Sequence, residues 1–140
     1  MHVVCPHCEK TNRVPPERLD SNPKCGSCGE ILFTGEPVAL NTSAFERHLE
    51  KSEMPLVVDF WAGWCAPCRM MAPEFEKAAA SMEPEVRFAK IDTEAEQGLA
   101  ARFQIRGIPT TIVFHGGKEV ARQAGVMGAA QIEQFVRTNL

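Results

Sequence analysis

No stretch of this 140-residue chain approaches the roughly 18 consecutive apolar residues needed to cross a membrane. It has no basic excess either. Fifteen Lys and Arg stand against 18 Asp and Glu, a net charge of −3, which argues against nucleic-acid binding through a positive field. The first residues, Met1-His2-Val3-Val4-Cys5-Pro6, lack the basic region and apolar segment of a secretory signal, so a cytoplasmic location is expected. There is no internal repeat and no low-complexity tract. No cysteine stands alone: the six form three C-x-x-C pairs, Cys5/Cys8, Cys25/Cys28 and Cys65/Cys68. A reducing compartment disfavours static disulfides, which leaves metal binding and redox catalysis. Apolar residues make up 44% of the chain, enough for a core of about a hundred residues and too many for disorder.

The chain is organised around Trp64-Cys65-Ala66-Pro67-Cys68. The preceding run, Leu56-Val57-Val58-Asp59-Phe60-Trp61-Ala62, reads as a strand buried on both faces, because such strands lose polar alternation. Helix-favouring residues follow. A strand that stops at C-x-x-C and turns into a helix puts Cys65 at the helix N-terminus, where unpaired N–H groups favour thiolate over thiol. Cys68 lies one turn further in and can close on Cys65 as a disulfide. Asp59 is the odd residue, a carboxylate inside an apolar strand. Burial should raise its pKa and let it accept a proton from Cys68.

Residues 1–34 hold four cysteines but few large apolar side chains, too little for an independent core. Two pairs separated by residues 9–24 match a four-cysteine zinc pattern, with Cys5, Cys8, Cys25 and Cys28 as ligands of one ion and Gly26 and Gly29 in the turns. Metal binding would supply folding free energy on the order of 10 kcal/mol. Iron is the alternative metal, and two labile disulfides or a switch that releases zinc on oxidation are the alternative chemistries. Four thiolates already fill a tetrahedral site, so His2 and His7 are expected to face solvent and no position is left open for catalysis. Thr34-Gly35-Glu36-Pro37 reads as a short hinge to a second domain, residues 37–140.

That domain reads in order as a short strand at Val38–Leu40, then a helix started by a capping box at Ser43–Glu46 and ended before Pro55. The strand at 56–62 follows, then a helix from Cys65 with Met71, Phe75, Ala78, Ala79 and Met82 facing in. Pro67 suits its first turn and Pro73 should kink it. A strand over 86–92, a short helix over 95–103, strands over 110–114 and 119–123 flanking Gly116-Gly117, and a helix over 129–136 complete the chain. The order is α/β, a mixed sheet flanked by helices with an antiparallel hairpin at one side. Met70, Met71 and Met82 read as core, and Arg69 as a solvated charge.

Asp59 through Cys68 resembles the active-site stretch of the thioredoxin family. Ile108-Pro109-Thr110 resembles its cis-proline loop, and Gly117 and Gly125 fall where the family keeps glycines. With the four added N-terminal cysteines the chain resembles the bacterial thioredoxin 2 type, which carries a zinc-binding extension. Ala66-Pro67 departs from the family's usual Gly-Pro, a dipeptide that tunes the redox potential.

The resemblance implies a thioredoxin fold with a small zinc-ribbon domain, and a protein-disulfide reductase. Cys65 would attack a target disulfide and Cys68 would resolve the mixed disulfide. Lys90 would lie near Asp59. Trp64, Ala66, Pro67, Ile108, Pro109 and Gly125 would form the substrate surface, with Trp61 packed beneath and the Ile108 backbone free to pair with an extended substrate strand. The implied partners are an NADPH-dependent thioredoxin reductase and disulfide-bearing proteins of the peroxiredoxin, methionine sulfoxide reductase and ribonucleotide reductase types. A monomer with no organic cofactor is expected. The competing reading is a binding or sensor module in which the zinc segment docks a partner and the redox domain is secondary.

Overall fold

A computed structural model describes all 140 residues. The N-terminal segment is built from two small hairpins. β1 (His2–Val4) pairs antiparallel with β2 (Thr11–Arg13), and a bridge joins Lys24 to Ile31. Each hairpin turns on one C-x-x-C, and the two turns share one hydrogen-bond pattern. The N–H of Cys5 donates to Lys10 O at 2.9 Å and that of Cys25 to Glu30 O at 2.8 Å; Glu9 and Gly29 donate back to the Cys5 and Cys25 carbonyls at 3.0 and 2.9 Å. This is a structural repeat that the side chains hide. Gly29 takes the left-handed turn position at φ 79°, and its counterpart Glu9 adopts φ 65° without being glycine. Gly26, expected in the same role, instead donates its N–H to Asn12 Oδ1 at 2.9 Å.

The remaining elements are β3 (Val38–Ala39), α1 (Thr42–Lys51), β4 (Leu56–Trp61), α2 (Ala66–Met82), β5 (Arg87–Asp92), α3 (Gln97–Arg102), β6 (Thr110–His115), β7 (Lys118–Ala124) and α4 (Ala129–Thr138). The strands form one mixed sheet in the order β3-β5-β4-β6-β7. The first three are parallel, and β6 and β7 are antiparallel. The pleat sorts β4 between two cores. Leu56, Val58 and Phe60 pack with Phe45, Leu99 and Phe114 on the α1/α3 side. Val57 packs with Met71, Phe75, Phe88 and Val136 on the α2/α4 side. No helix is long and apolar enough to cross a membrane.

The starts of α1 and α3 differ from the sequence expectation, each because a side chain other than the expected one holds the first N–H groups. Asn41, not Ser43, caps α1: its Oδ1 accepts from the Ala44 N–H at 2.8 Å, while Glu96 Oε1 receives the Thr42 N–H at 2.8 Å. α3 starts at Gln97 rather than Ala95, because Asp92 Oδ1 holds the Glu94 and Ala95 N–H groups at 2.9 and 3.4 Å in a turn. Pro73 lies inside α2 without ending it. Met71 and Met82 are core as expected, but Met70 is 67% exposed, since it sits on the outer face of α2.

The segment expected to be a hinge is held. Gly35 donates its N–H to Glu83 Oε2 at 2.8 Å. Glu83 pairs with Arg87 at 3.3 Å with both side chains nearly sealed from solvent, and Arg87 Nη2 donates to the Val4 carbonyl at 3.3 Å while its guanidinium covers the Phe33 ring. Met54, which precedes β4, completes the small core of Val3, Val14 and Leu32. These contacts gather where β4 and β5 begin. Both strands are six residues long and end on the side of Cys65 and Cys68, so the N-terminal segment sits about 20 Å away, at the opposite end of the sheet.

Candidate active site and metal centre

Cys65 is the N-cap of α2, in an extended conformation. The N–H of Cys68 donates to Cys65 Sγ at 3.2 Å, as a capping side chain would receive it. Sulfur placed there feels the positive end of a 17-residue helix. Pro67 stands in the first turn, where a missing N–H costs nothing. Cys65 and Cys68 are joined as a disulfide, and both are almost buried. Burial therefore does not distinguish them; the capping geometry does.

The loop before β6 stands opposite. The Ile108–Pro109 bond is cis, as the resemblance implied, and the Ile108 carbonyl lies 3.7 Å from Cys65 Sγ. Gly125, at φ 95°, donates its N–H to the Pro109 carbonyl at 2.9 Å and so brings the end of β7 beside that loop. Ala66, Pro67 and Gly125 are exposed and Ile108 half-buried. The structure thus gathers Ala66, Pro67, Ile108 and Gly125, with Trp64, around the disulfide, while Pro109 is buried.

Trp64 is 69% exposed yet anchored: its Nε1 donates to Glu94 Oε1 at 2.6 Å. Sequence reasoning missed Glu94, which no local pattern marks. A hollow of about 230 Å³ beside the disulfide is lined by Trp64, Thr93, Glu94, Ile105, Arg106 and Ile108. Trp61 packs beneath, against Ala62, Cys65 and Cys68. Arg69 is exposed but not merely solvated, since its Nη1 clasps the Gly63 carbonyl at 2.7 Å.

Asp59 is fully buried on the sheet face that α2 covers. Burial pushes its pKa up to about 7, against a weaker opposing pull from Lys90. The register places Asp59 beside Lys90, but the two form no ion pair. Lys90 Nζ stands 4.5 Å from the Trp61 ring centroid, and neither Asp59 oxygen has a hydrogen-bond partner. A groove of about 790 Å³ between residues 34–37 and α2 reaches Lys90 but touches neither redox cysteine.

At the other end of the sheet the ligand atoms of Cys5, Cys8, Cys25 and Cys28 lie within 4.8 Å of one another. Sγ of Cys5 and Cys28 are 3.7 Å apart, and those of Cys8 and Cys25 3.6 Å. A tetrahedron with zinc–sulfur bonds of about 2.3 Å has edges of about 3.8 Å, the spacing of these two sulfur pairs, so the donor set suits zinc. Backbone N–H groups of His7 and Ser27 donate to Cys5 and Cys25 at 3.3 Å each, which favours thiolate sulfur. His2 and His7 are exposed, and His2 Nδ1 meets Glu53 at 2.9 Å.

Residues 36–138 match the family described as Thioredoxin, and residues 4–30 the family described as Thioredoxin 2, N-terminal, a zinc ribbon. The chain belongs to the thioredoxin family. It is 42% identical over 140 residues to thioredoxin C-3 of Corynebacterium nephridii, covering all of this chain and 96% of the relative. It is 32% identical over 105 residues to the thioredoxin of Haemophilus influenzae, 75% of this chain and 98% of that one. A crystal structure of chloroplastic thioredoxin z superposes with a TM-score of 0.68 at 30% identity, over 74% of this chain and 93% of that chain. The sheet and helices above are the thioredoxin fold, the four N-terminal cysteines are positioned to bind one metal ion in a zinc-ribbon segment, and the protein is a thiol–disulfide oxidoreductase.

Proposed function

We propose that this thioredoxin reduces protein disulfides in the bacterial cytoplasm through Cys65 and Cys68. The reading rests above all on Cys65 capping α2 across from the Ile108 carbonyl. In the reduced protein the Cys65 thiolate attacks one sulfur of a target disulfide. A mixed disulfide forms, and the other target sulfur leaves and takes up a proton. Cys68 then loses its proton to Asp59 and attacks Cys65 Sγ. The target leaves as a dithiol, and two electrons have passed to it. Lys90 steadies the ionised form of Asp59 by its charge. Trp64, Ala66, Pro67, Ile108, Pro109 and Gly125 seat an extended target segment, which can bond to the Ile108 backbone as an added strand.

An NADPH-dependent thioredoxin reductase returns Cys65–Cys68 to the dithiol. Peroxiredoxins, methionine sulfoxide reductases and ribonucleotide reductase are the substrate classes the family suggests, and the working form is a monomer. Residues 1–34 act as a zinc-bearing unit and 37–140 as the redox unit. When bound, zinc supplies a closed tetrathiolate knot that holds the two hairpins together. A second role, reporting oxidation, is favoured by the exposure of Cys28, the ligand most open to solvent.

The test is the reduction potential of Cys65–Cys68 in the zinc-loaded protein, equilibrated against glutathione or dithiothreitol. A value of about −270 mV fits a cytoplasmic reductant. A value near about −120 to −180 mV would make the protein an oxidase or isomerase and remove both the direction and the compartment.

A further inference from the structure

Three side chains stand in a row across the sheet face that α2 covers: Lys90 on β5, Asp59 on β4 and Thr111 on β6. The register pairs Asp59 with Lys90 on one side and with Thr111 on the other. Directly opposed residues point to the same face. Their neighbours two residues along each strand, Phe88, Val57 and Val113, all belong to the core under α2 and α4, which confirms the facing. Asp59 and Thr111 are both completely buried. Thr111 Oγ1 and both Asp59 oxygens lack any hydrogen-bond partner. Two buried polar groups with no protein partner therefore face each other, and each unmade hydrogen bond there carries a desolvation penalty. Opposed Cβ atoms of an antiparallel pair lie about 4.5–5.5 Å apart, so a rotation about χ1 brings the hydroxyl to the carboxylate.

We propose that Thr111 is a positioning residue for Asp59, its hydroxyl bonding the carboxyl group in both protonation states. A hydroxyl donates to the ionised carboxylate and accepts from the carboxylic acid, so it can follow the proton on and off. Lys90 favours only the ionised state. The bond to the ionised form is the stronger, so Thr111 holds Asp59 more acidic than burial and Lys90 alone would leave it. The charged group beside Asp59 is Lys90 from β5; α2 brings Met71 and Phe75 to this core, and Cys65 and Cys68 at its head are disulfide-bonded and do not titrate in this state. α4 brings Ile132 and Val136 to this core and β6 brings Val113, none of them charged. Nothing in the local sequence distinguishes Thr111 from the other residues of the strand over 110–114. The proposal rests on Asp59 being the proton acceptor for Cys68.

The experiment titrates the Asp59 side-chain carboxyl by NMR in the zinc-loaded full chain, alongside the pH profile of kcat/KM for reduction of a protein disulfide. Thr111→Val keeps the shape and removes the hydroxyl. It should move the Asp59 titration up by about one pH unit, with the matching limb of the rate profile moving alongside. Thr111→Ser, which restores the hydroxyl, should titrate as the parent protein does. A Thr111→Val titration that superposes on the parent's overturns the proposal. Should Thr111→Val not fold, Thr111→Ala against Thr111→Ser makes the same comparison. Asp59→Asn separates the two ideas: if the limb survives in that variant, the proton-acceptor reading fails, while the carboxyl titration still decides the role of Thr111.

Discussion

The three C-x-x-C pairs are alike in themselves and differ in what the fold sets across from them. In each, the N–H of the second cysteine points at the first sulfur, at 3.5 Å for Cys5/Cys8, 3.5 Å for Cys25/Cys28 and 3.2 Å for Cys65/Cys68. At the N-terminal end, each pair faces the other, and four sulfurs gather within 4.8 Å of one another. At the far end of the sheet, the pair faces a carbonyl and a cis-proline, with a buried carboxylate in the strand beneath. The spacing creates a sulfur cradled by N–H groups. A second pair opposite makes that sulfur a ligand; an open surface opposite leaves it free to exchange.

The comparison is broken most sharply by exchanging one atom at each end. Cys65→Ser should bring disulfide reduction down to background while the protein still binds one zinc per chain. Cys25→Ser should do the reverse, losing metal but keeping turnover within about twofold. A tetrathiolate variant that lost turnover as completely as Cys65→Ser would mean that the two ends are chemically one site.

Removing zinc with a chelator comes next in size. Structural zinc carries on the order of 10 kcal/mol of folding free energy, so residues 1–34 should lose hydrogen-exchange protection. The amides of α2 nearest Cys65 should keep theirs. Loss of protection spreading to that first turn would show the ends to be coupled.

The joint between the ends is the Glu83–Arg87 pair, whose side chains are 2% and 1% exposed. Arg87→Ala strands a buried carboxylate and should cost about 3–5 kcal/mol in denaturant unfolding, more than an exposed pair would. The double variant Arg87→Met with Glu83→Gln should recover most of that loss. If it does not, the hydrogen bond to Val4 and the contact with Phe33 matter more than the charge pair.

Two pH slopes of opposite sign, each confined to its own pH window, complete the comparison. Burial lifts Asp59 from 3.8 to about 7, so the folded state binds its proton the more tightly. Its contribution favours the fold below pH 3.8 and is lost as pH rises towards 7. Asp59→Asn should therefore gain stability relative to the parent over that window, by up to about 4 kcal/mol, and then level off. His48, buried on α1 near the N-terminal segment with neither ring nitrogen bonded, is lowered from 6.5 to about 3, chiefly by burial and then by Arg87 and Arg47. Its contribution is full above pH 6.5 and is lost as pH falls towards 3, so His48→Leu should flatten the acid side of the stability curve. Unfolding midpoints measured from pH 3 to pH 9 on both variants check both signs.

The local pieces were legible from the chain alone. Periodicity gave the strands and helices, the C-x-x-C at a strand end put Cys65 at a helix N-terminus, and Asp59 stood out because a carboxylate has no ordinary place in an apolar run. These are consequences of residues within a few positions of one another, where dihedral preference, capping and side-chain period act directly. Which distant residues meet depends on how the elements pack. The packing sent Lys90 onto Trp61 rather than into an ion pair, tied Trp64 to Glu94, set Thr111 across from Asp59, and turned the expected hinge into a joint sealed by Glu83 and Arg87. It also placed the zinc ribbon at the end of the sheet away from the disulfide. Parallel strands fix two opposite ends, and the ribbon's small core is completed by Met54, which lies where β4 begins.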